Sequence, residues 1–388
     1  MRSSSIRLGV ALLIVAFVLL DQIAVAQNTS PKKTPDQKAL GPDVNKLAEA
    51  RRKAIDFLKT SQGDDGSWTS NESAGVTALV VTALIRNGVR LDDRAVAKGL
   101  KALQGFVRKD GGIYAVGSGQ KNYETCVCVM ALKAADSKGQ YDAILARADK
   151  LLRGLQWDEK EGIDKSDNRC GGADYGPSKR RPDLSNTQFL LDALKSLGAK
   201  DNDPAIQKAL IFVSRCQNLE SEHNTSASAA KVNDGGFIYT VTGGGQSAAG
   251  KTRGGGLRSY GAMTYAGLKS MIYAGLTESD PRVKAAFGWI RSHYTVTENP
   301  GMGEQGLFYY YDTFSKTLDV LKVEEFEDAQ KERHDWLKDL ANQLFAVQQP
   351  NGSWVNPKVR WFESDPNLAT AYALQALKFC ELPAASAH

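Results

Sequence analysis

Two acidic residues stand in matching sequence contexts and are suited to act as acids. Glu124 and Asp312 each come directly before a threonine, Thr125 and Thr313, within an apolar stretch. A carboxyl group in apolar surroundings can keep its proton near neutral pH and deliver it to a substrate. The alternative needs no substrate, because a carboxylate in the first turn of a helix also favours the helix dipole. We predict Glu124 and Asp312 as candidate catalytic residues.

Tyrosines accompany both acids and a third threonine, Thr264. An aromatic face attracts a cation without reacting with it, which suits a site where a carbocation forms. Tyrosines also fill cores and line carbohydrate clefts, so these alternatives stay open. The candidate substrate-binding tyrosines are Tyr123, Tyr260, Tyr265, Tyr309, Tyr310 and Tyr311. Asp183 is a further substrate-binding candidate, with helix capping as its alternative role.

The histidines argue against a zinc site. The chain has four, His223, His293, His334 and His388, and none lies in an apolar helical pattern. Zinc needs three or four converging ligands, so we expect no zinc and no cofactor. The net charge of +5 is spread over 388 residues without long basic runs, so we expect no nucleic-acid partner. An apolar small molecule, a lipid or a protein remains as a partner.

Six similar apolar segments must position these side chains. In each, apolar and small residues recur at helical spacing around a threonine, which predicts a closely packed helix. The threonines are Thr77, Thr125, Thr187, Thr264, Thr313 and Thr370. Their intervals of 48, 62, 77, 49 and 57 residues are too irregular for a uniform solenoid and favour a closed ring. The residues just before the threonines should then line one end of that ring.

A more amphipathic helical pattern precedes these segments. Glutamine closes it at Gln62, Gln156, Gln217 and Gln348, whereas Val107 and Tyr294 stand there in copies two and five. Glycine and an aromatic residue follow in a turn, as in Gly66/Trp68, Gly112/Tyr114, Gly172/Tyr175, Gly236/Phe237, Gly306/Phe308 and Gly352/Trp354. Six helical pairs predict an all-α fold, an (α/α)6 toroid with the amphipathic helices outside. Copies two and five face each other in such a ring, which would set Glu124 opposite Asp312 across the cavity mouth.

The first copy resembles the QW repeat of squalene and oxidosqualene cyclases. It matches that repeat at Lys53, Ala54, Phe57, Leu58, Gln62, Gly66 and Trp68, and weaker copies continue to Ala376. The resemblance implies one α/α toroid of the terpenoid cyclase and protein prenyltransferase superfamily, with an apolar cavity. In that family the glutamine bonds backbone at a helix end and the tryptophan packs over it. The chain lacks the DxDD motif that supplies the acid in squalene cyclases, so their polycyclisation mechanism is unsupported.

The N-terminal residues predict export. Arg2 and Arg7 precede an apolar run and a small-residue site, typical of a signal peptide cleaved near Ala26 and Gln27. The mature chain would then be periplasmic or extracellular. The expected organisation is a signal peptide (1–26), a flexible lead-in (27–44), a single toroid domain (45–380) with a glycine-rich insertion at about 218–256, and a tail (381–388).

Three functions are compatible with this organisation. The first is a squalene-cyclase-like enzyme that cyclises or isomerises a polyprenyl or terpenoid substrate, with Asp312 or Glu124 as the acid. The second is a non-catalytic toroid that binds a lipid or a protein. The third is a polysaccharide lyase or hydrolase on an (α/α)6 barrel, because ring architecture alone does not fix function.

Overall fold

The computed structural model describes residues 40–176 and 181–381. The expected signal peptide, the lead-in up to residue 39 and residues 382–388 of the expected tail lie outside the described residues. Within them the regular secondary structure is helical, apart from two-residue strands β1 (Phe326–Glu327) and β2 (Arg333–His334), which pair antiparallel. The all-α class predicted from the sequence is confirmed.

Two concentric sets of helices make up the domain. The inner helices are α2 (Gly75–Arg86), α4 (Lys121–Ala135), α6 (Leu184–Ser196), α9 (Gly261–Tyr273), α11 (Leu307–Val320) and α13 (Pro366–Phe379). The outer helices are α1 (Val44–Thr60), α3 (Arg94–Gly105), α5 (Asp142–Leu155), α7 (Pro204–Arg215), α10 (Pro281–Ser292) and α12 (Trp336–Val347). The short helix α8 (Ala227–Val232) lies in the insertion, and 3₁₀ turns span Glu159–Glu161 and Arg360–Phe362. Each of the six threonines falls in an inner helix.

Aspartates begin several of the outer helices. Asp93 caps α3 and Asp203 caps α7, where their carboxylates accept hydrogen bonds from the amides of Ala95 and Ala205. Pro204 follows the cap of α7, where its missing N–H breaks no helical hydrogen bond. These carboxylates therefore stabilise helix starts.

The inner helices are buried on all sides. In α9 every residue from Gly261 to Met271 is buried, whereas the outer helix α1 buries a single stripe. Small residues make this packing possible, since a Cβ atom at Gly267 would lie 2.4 Å from the ring of Phe237. This explains the mixture of apolar and small residues in the six segments.

The inner ring is closed. Helix α13 packs against α2 as well as α11, and the outer helix α1 packs on α13. The first and last helical pairs therefore bury each other's apolar faces, as a toroid requires. The five cysteines of the chain are all buried and free. In the described part of the chain, no helix has both the length and the apolarity needed to cross a bilayer.

Glutamine side chains join successive outer helices. Gln62 donates from Nε2 to the carbonyl oxygen of Gly66 (3.0 Å) and to that of Ala95 in α3 (2.9 Å). Gln348 reaches the carbonyl oxygen of Ala50 in α1 at 2.9 Å, across the closure of the ring. Each glutamine thus fixes its own turn and the start of the next outer helix.

The threonines of the inner helices hold the turns that precede them. Thr77 Oγ1 accepts a hydrogen bond from the amide of Trp68 at 3.0 Å, and Thr370 Oγ1 accepts one from Trp354 at 3.0 Å. Matching bonds from turn amides reach Thr125, Thr187 and Thr264. A buried hydroxyl therefore fixes where these turns meet the inner ring.

Candidate functional site

A cavity opens at the end of the ring where the inner helices begin. Its volume is about 510 Å³, and the first turns of the inner helices contribute to its wall. Val76, Asn186 and Met263, which directly precede their threonines, all line it. The threonine register therefore locates the end of the ring that carries the cavity.

The cavity wall is rich in aromatic side chains. Its aromatic residues are Trp68, Tyr123, Tyr175, Phe189, Tyr239, Tyr260, Tyr309, Trp361, Phe362 and Tyr372. None of the described wall residues is lysine, arginine or histidine, and two of them, Glu363 and Asp365, are acidic. The described wall therefore suits a neutral apolar molecule or a group that develops positive charge.

The hydroxyl group of the wall residue Tyr309 is already engaged within the protein. It lies 3.1 Å from Ser185 Oγ and accepts a hydrogen bond from Gln188 Nε2 at 3.2 Å. Burial raises the pKa of Tyr123, Tyr309 and Tyr372, so these hydroxyls stay protonated.

Helical geometry separates the three consecutive tyrosines of α11. Tyr309 lines the cavity, whereas Tyr310 donates to the carbonyl oxygen of Thr295 (2.7 Å) and Tyr311 to that of Val296 (2.8 Å). Successive residues of an α-helix are rotated by about 100°, so three in a row cannot share one face. Tyr310 and Tyr311 therefore belong to the packing around the loop before α11.

Tyr260 and Tyr265 are separated by the start of α9. Tyr260 precedes the helix and lines the cavity, while the ring of Tyr265 packs against Phe314 of α11 with their centroids 4.9 Å apart. The predicted tyrosines that the structure brings together on the cavity wall are Tyr123, Tyr260 and Tyr309.

Glu124 is buried and holds two loops in place. Its carboxylate accepts hydrogen bonds from the amide of Ala115 (2.8 Å), from Ser118 Oγ (3.0 Å) and from Ser73 Oγ (3.1 Å). These contacts join the turn before α4 to the residues before α2. Glu124 does not line the cavity, because its oxygens face these donors.

Asp312 lies beneath the cavity floor. It is one helical turn deeper in α11 than Tyr309, and its Oδ2 lies 2.7 Å from Lys316 Nζ. Its Oδ1 is buried without a hydrogen-bond partner among the residues described. Burial raises the pKa of Tyr372, and the charge of Asp312 adds to that rise. Asp312 and Glu124 therefore do not meet across the cavity mouth, since each is held by partners of its own.

A second buried ion pair makes the centre of the ring polar. Lys269 of α9 donates to Asp192 Oδ1 at 2.6 Å and to Gln188 Oε1 at 2.7 Å, both in α6. Its side chain is fully buried, and burial lowers its pKa. Buried ion pairs therefore lie among the inner helices, in addition to the cavity that the sequence predicts to be apolar.

Asp183 caps α6 immediately behind the cavity wall. Its Oδ1 accepts from the amide of Asn186 (2.8 Å) and its Oδ2 from Asn186 Nδ2 (2.8 Å). Asn186, its partner, is itself a wall residue. Burial raises the pKa of Asp183 to about 6, against these hydrogen bonds, which lower it. Asp183 therefore contacts the wall without lining the cavity itself.

Glu363 is a wall carboxyl group that the sequence did not single out. Its Oε1 accepts from the amide of Tyr309 at 2.8 Å and its Oε2 from Asn356 Nδ2 at 2.7 Å. Burial raises its pKa, against these hydrogen bonds. Asp365, also on the wall, caps α13 by accepting from the amide of Leu368 at 2.9 Å. Glu363 is the wall acid whose surroundings favour the protonated form.

Of the other unpredicted aromatic wall residues, Phe189 of α6 and Tyr372 of α13 lie in inner helices, and the rest come from irregular segments. Trp361 and Phe362 lie in the loop before α13, and Tyr239 lies in the insertion, whose Thr240 donates to the carbonyl oxygen of Pro182 at 2.7 Å. Helical periodicity carries no signal in such loops. The length of the insertion was the available clue, and it does supply part of the wall.

One group outside the cavity has ligand types that suit a metal. Single oxygen or nitrogen atoms of Asp328, Glu332 and His334 all lie within 4.8 Å of one another, near the β1–β2 hairpin. Asp328 Oδ2 lies 2.9 Å from His334 Nε2, so a hydrogen bond accounts for that pair. Glu332 is exposed, as acidic surface residues commonly are.

Comparison with known proteins finds likeness at the level of the fold. No protein-family model and no curated protein matches the sequence. The type II terpene cyclase MstE from Scytonema, in its apo form, superposes with a TM-score of 0.53 at 14% identity, over 87% of this chain and 98% of that one. A protein from Actinoplanes gives a TM-score of 0.52 at 12% identity, over 86% and 99%.

A protein prenyltransferase has a similar structure. Candida albicans protein geranylgeranyltransferase-I, complexed with GGPP, gives a TM-score of 0.50 at 12% identity, over 84% of this chain and 90% of that one. At such identities the likeness concerns architecture alone. The chain has the α/α toroid fold of the terpenoid cyclases and protein prenyltransferases.

Proposed function

We propose that this chain is an exported toroid that binds one apolar molecule of the isoprenoid class in its central cavity. The observation that carries the proposal is the aromatic wall at the inner-helix ends, which encloses about 510 Å³. That volume lies within the range of small-molecule sites, roughly 300–1,000 Å³. Protein geranylgeranyltransferase-I, which has a similar fold, is complexed with GGPP, and the prenyl chain of that ligand supports an isoprenoid here.

The hydrogen bonds of the wall favour an apolar ligand over a sugar chain. A carbohydrate site needs polar groups that are free to bind many hydroxyls. Here the hydroxyl of Tyr309 bonds to Ser185 and Gln188, and Glu363 and Asp365 accept from helix amides. What these groups leave for a ligand is mainly ring surface.

A second function, acid-catalysed isomerisation or cyclisation of the bound molecule, rests on Glu363. Its carboxyl group lies on the wall, and burial favours its protonated form. Its O–H bond would break as a C–H bond forms at one alkene carbon, leaving positive charge on the neighbouring carbon. Aromatic faces stabilise such a cation. Loss of a proton from an adjacent carbon back to the carboxylate would complete the isomerisation and restore Glu363.

Mass spectrometry of apolar extracts tests the binding function. The chain is purified without detergent, and the extract is compared with that of a Val76→Trp variant, whose larger side chain takes up part of the cavity at its wall. An isoprenoid present with the wild-type chain and depleted in the variant supports the proposal. A wild-type extract without any apolar molecule, together with no uptake of added isoprenoid alcohol, contradicts it.

Turnover assays test the catalytic function. The wild-type chain is incubated with squalene and with geranylgeraniol, and products are separated by gas chromatography. Glu363→Gln is expected to abolish product formation while leaving binding intact, whereas the exposed Glu304→Gln keeps wild-type turnover. Equal turnover in Glu363→Gln would remove Glu363 from the mechanism.

Export is part of the proposal and has a direct test. The charged start and apolar run of the first 26 residues support it. The full-length chain is expressed with a C-terminal tag, and the N-terminus of the recovered protein is sequenced. We expect it to begin at Gln27 in the exported fraction, and an intact Met1 in all fractions contradicts export by cleavage.

A further inference from the structure

Three side chains with metal-ligating atoms meet at the β1–β2 hairpin, away from the cavity. Asp328, Glu332 and His334 lie within seven residues of sequence, and one ligand atom of each lies within 4.8 Å of the other two. The hairpin follows the end of α11, whereas the cavity lies where the inner helices begin. None of the three residues lines the cavity. What they bind is therefore independent of the proposed isoprenoid site.

The backbone of the hairpin fixes the carboxylate of Asp328. Its Oδ1 accepts hydrogen bonds from the amides of Gln330 (2.8 Å) and Glu332 (2.9 Å). The amide of Asp328 donates in turn to the carbonyl oxygen of Glu332 at 3.0 Å, which closes the turn. The other carboxylate oxygen, Oδ2, lies 2.9 Å from His334 Nε2. Asp328 therefore holds one oxygen in a fixed direction, as a monodentate metal ligand must.

The imidazole ring of His334 is held from its face and from its far edge. It stacks on the ring of Tyr294 with the centroids 4.3 Å apart and an angle of 29° between the planes. Its Nδ1 lies 3.7 Å from Asp339 Oδ2, which accepts a hydrogen bond from the Tyr294 hydroxyl at 2.8 Å. A carboxylate beside the non-ligating nitrogen is the usual second partner of a metal-binding histidine. The ring is thus oriented with Nε2 toward Asp328.

Three carboxylates surround this imidazole without a lysine or arginine to balance them. In the described part of the chain, Asp328 and Asp339 form ion pairs with His334 alone, and Glu332 forms none. A protonated imidazole carries one positive charge against three negative charges. Like charges held this close repel each other. A divalent cation among the carboxylates would remove that repulsion, so the charge of the group, like its ligand atoms, favours a metal ion.

The distances suit a small ion. Ligand atoms at about 2.0–2.2 Å from a tetrahedral metal ion lie about 3.3 Å from one another. Asp328 Oδ2 and His334 Nε2 are already closer than that, because a hydrogen bond joins them. The metal ion would replace the proton on Nε2, which passes to solvent. The exposed side chain of Glu332 needs only rotation about its own bonds to supply the third ligand, and water completes the fourth position.

We propose that Asp328, Glu332 and His334 bind one divalent transition-metal ion, with zinc as the expected ion. One imidazole and two carboxylates are ligands that zinc takes. Calcium and magnesium prefer oxygen ligands alone, so the imidazole disfavours them. The expectation of no zinc rests on the apolar helical segments, and this hairpin lies outside them.

The bound ion would stabilise the connection between α11 and α12. Asp328 and Glu332 belong to the turn of the hairpin, and His334 leads into α12. Arg291, at the end of α10, donates to the carbonyl oxygens of Glu327 (2.8 Å) and Asp328 (2.9 Å). The ion would therefore fix a segment that already joins three helices.

Calorimetric titration of zinc into the metal-free chain tests the proposal. The full chain is purified without a histidine tag and is dialysed against a chelator. We expect one zinc ion per chain to bind saturably. Glu332→Gln should weaken this binding at least about tenfold, and His334→Gln at least about a hundredfold. Because Glu332 is exposed, Glu332→Gln tests the site without disturbing the packing of the hairpin.

A matched control comes from a histidine with a single acidic neighbour. His223 Nε2 lies 3.4 Å from Glu222 Oε1, and no third ligand residue joins them among the described residues. His223→Gln should bind zinc as the wild type does. Zinc should raise the midpoint of thermal unfolding of the wild type and of His223→Gln, and leave that of His334→Gln unchanged. Circular dichroism verifies that each variant is folded.

The outcomes separate the metal site from the proposed isoprenoid site. Absence of saturable zinc binding by the wild type, or equal affinity in folded Glu332→Gln and His334→Gln, would overturn the proposal. Tighter binding of calcium or magnesium than of zinc would overturn the assignment to a transition metal. Binding of isoprenoid alcohol should be the same with and without zinc, so either proposal can fail while the other stands.

Discussion

The carboxyl group of Asp183 is buried, and burial disfavours its charged form. The free energy of unfolding therefore depends on pH. The pKa of Asp183 is about 6 in the folded chain against an ordinary value of 3.8. The folded state therefore binds the proton of the Asp183 carboxyl group more tightly than the unfolded state does. The stability that this protonated group contributes is present below about pH 4 and is lost as pH rises to about 6. The difference corresponds to roughly 3 kcal/mol.

Asp183→Asn should remove this dependence. Asn186 Oδ1 has no partner in the described structure, so the amide of Asn186 can turn over and accept from the new side chain. Urea unfolding at pH 4 and pH 7 measures the change. Relative to the variant, the wild type should lose roughly 3 kcal/mol between these values. If the wild type and Asp183→Asn changed equally in free energy of unfolding between pH 4 and pH 7, Asp183 would not be a buried carboxyl group that titrates in this range.

Asp203 provides a control of opposite sign. It also caps a helix, but the hydrogen bond from Arg153 lowers its pKa. A lowered folded pKa gives stability that is present above the ordinary pKa and is lost as pH falls. Asp203→Asn should therefore weaken the chain more at pH 7 than at pH 3. If Asp183→Asn and Asp203→Asn changed the pH dependence of the free energy of unfolding in the same direction, the surroundings of the two carboxyl groups would not differ in the way the structure shows.

Gln62 is expected to contribute more to stability than an ordinary surface glutamine. Its amide is bonded to two carbonyl oxygens on different elements, and its removal leaves Ala95 O without that donor. Gln62→Ala should lower the free energy of unfolding by about 1–3 kcal/mol. Gln104 donates only to Leu100 of its own helix at 3.3 Å, and Gln104→Ala should stay within about 0.5 kcal/mol. Urea denaturation of both variants checks the contrast.

At the scale of elements, α6 and α9 are coupled by the Asp192–Lys269 pair. Lys269→Met leaves a buried carboxylate without its cation, which should cost about 3–5 kcal/mol. The double variant Lys269→Met/Asp192→Leu should recover most of that loss, because neither charge remains buried. Denaturant unfolding of the two variants tests this. A double variant no more stable than Lys269→Met would contradict coupling through charge.

The exposed Lys53–Glu49 ion pair is a control for the stability that the buried Asp192–Lys269 pair contributes. Lys53 and Glu49 lie 2.8 Å apart on the outer helix α1, with both side chains largely exposed. Lys53→Met should change stability by less than about 1 kcal/mol. A loss as large as that of Lys269→Met would show that helix propensity, and not burial, controls both results.

The elements of this fold were accessible from sequence because their signals repeat. A threonine such as Thr77 or Thr370 recurs with small residues around it, since it both packs inside the ring and accepts from a turn amide. Only part of the cavity wall could be predicted from the sequence. Tyr309 could not be told from its neighbour Tyr310 without the phase of the helix, and Glu363 lies in a loop without periodicity.

The side-chain contacts of the candidate acids Glu124 and Asp312 were also hard to predict from the sequence. The position of Glu124 within α4 follows from the pattern, but its direction depends on Ser73 and Ser118, which belong to two different loops. No local pattern encodes such contacts. The partner of Asp312, Lys316, is one turn away in sequence and was the more predictable of the two.

Taken as a whole molecule, the toroid separates a polar centre from an aromatic cavity at one end. Buried ion pairs lie among the inner helices, and the cavity lies between the inner-helix ends and the loops before them. Under the proposed binding function, an apolar molecule would lie in the cavity against its aromatic wall. The central claim is that this cavity binds an isoprenoid.

Calorimetric titration of geranylgeraniol into the detergent-free exported chain tests that claim most directly. Val76→Trp narrows the cavity at its wall, and Val44→Trp adds the same side chain at an exposed position at the start of α1. We predict saturable one-to-one binding by the wild type and by Val44→Trp, and binding at least about tenfold weaker in Val76→Trp. Absence of saturable binding by the wild type, or equal affinity in the folded Val76→Trp variant, would contradict the account.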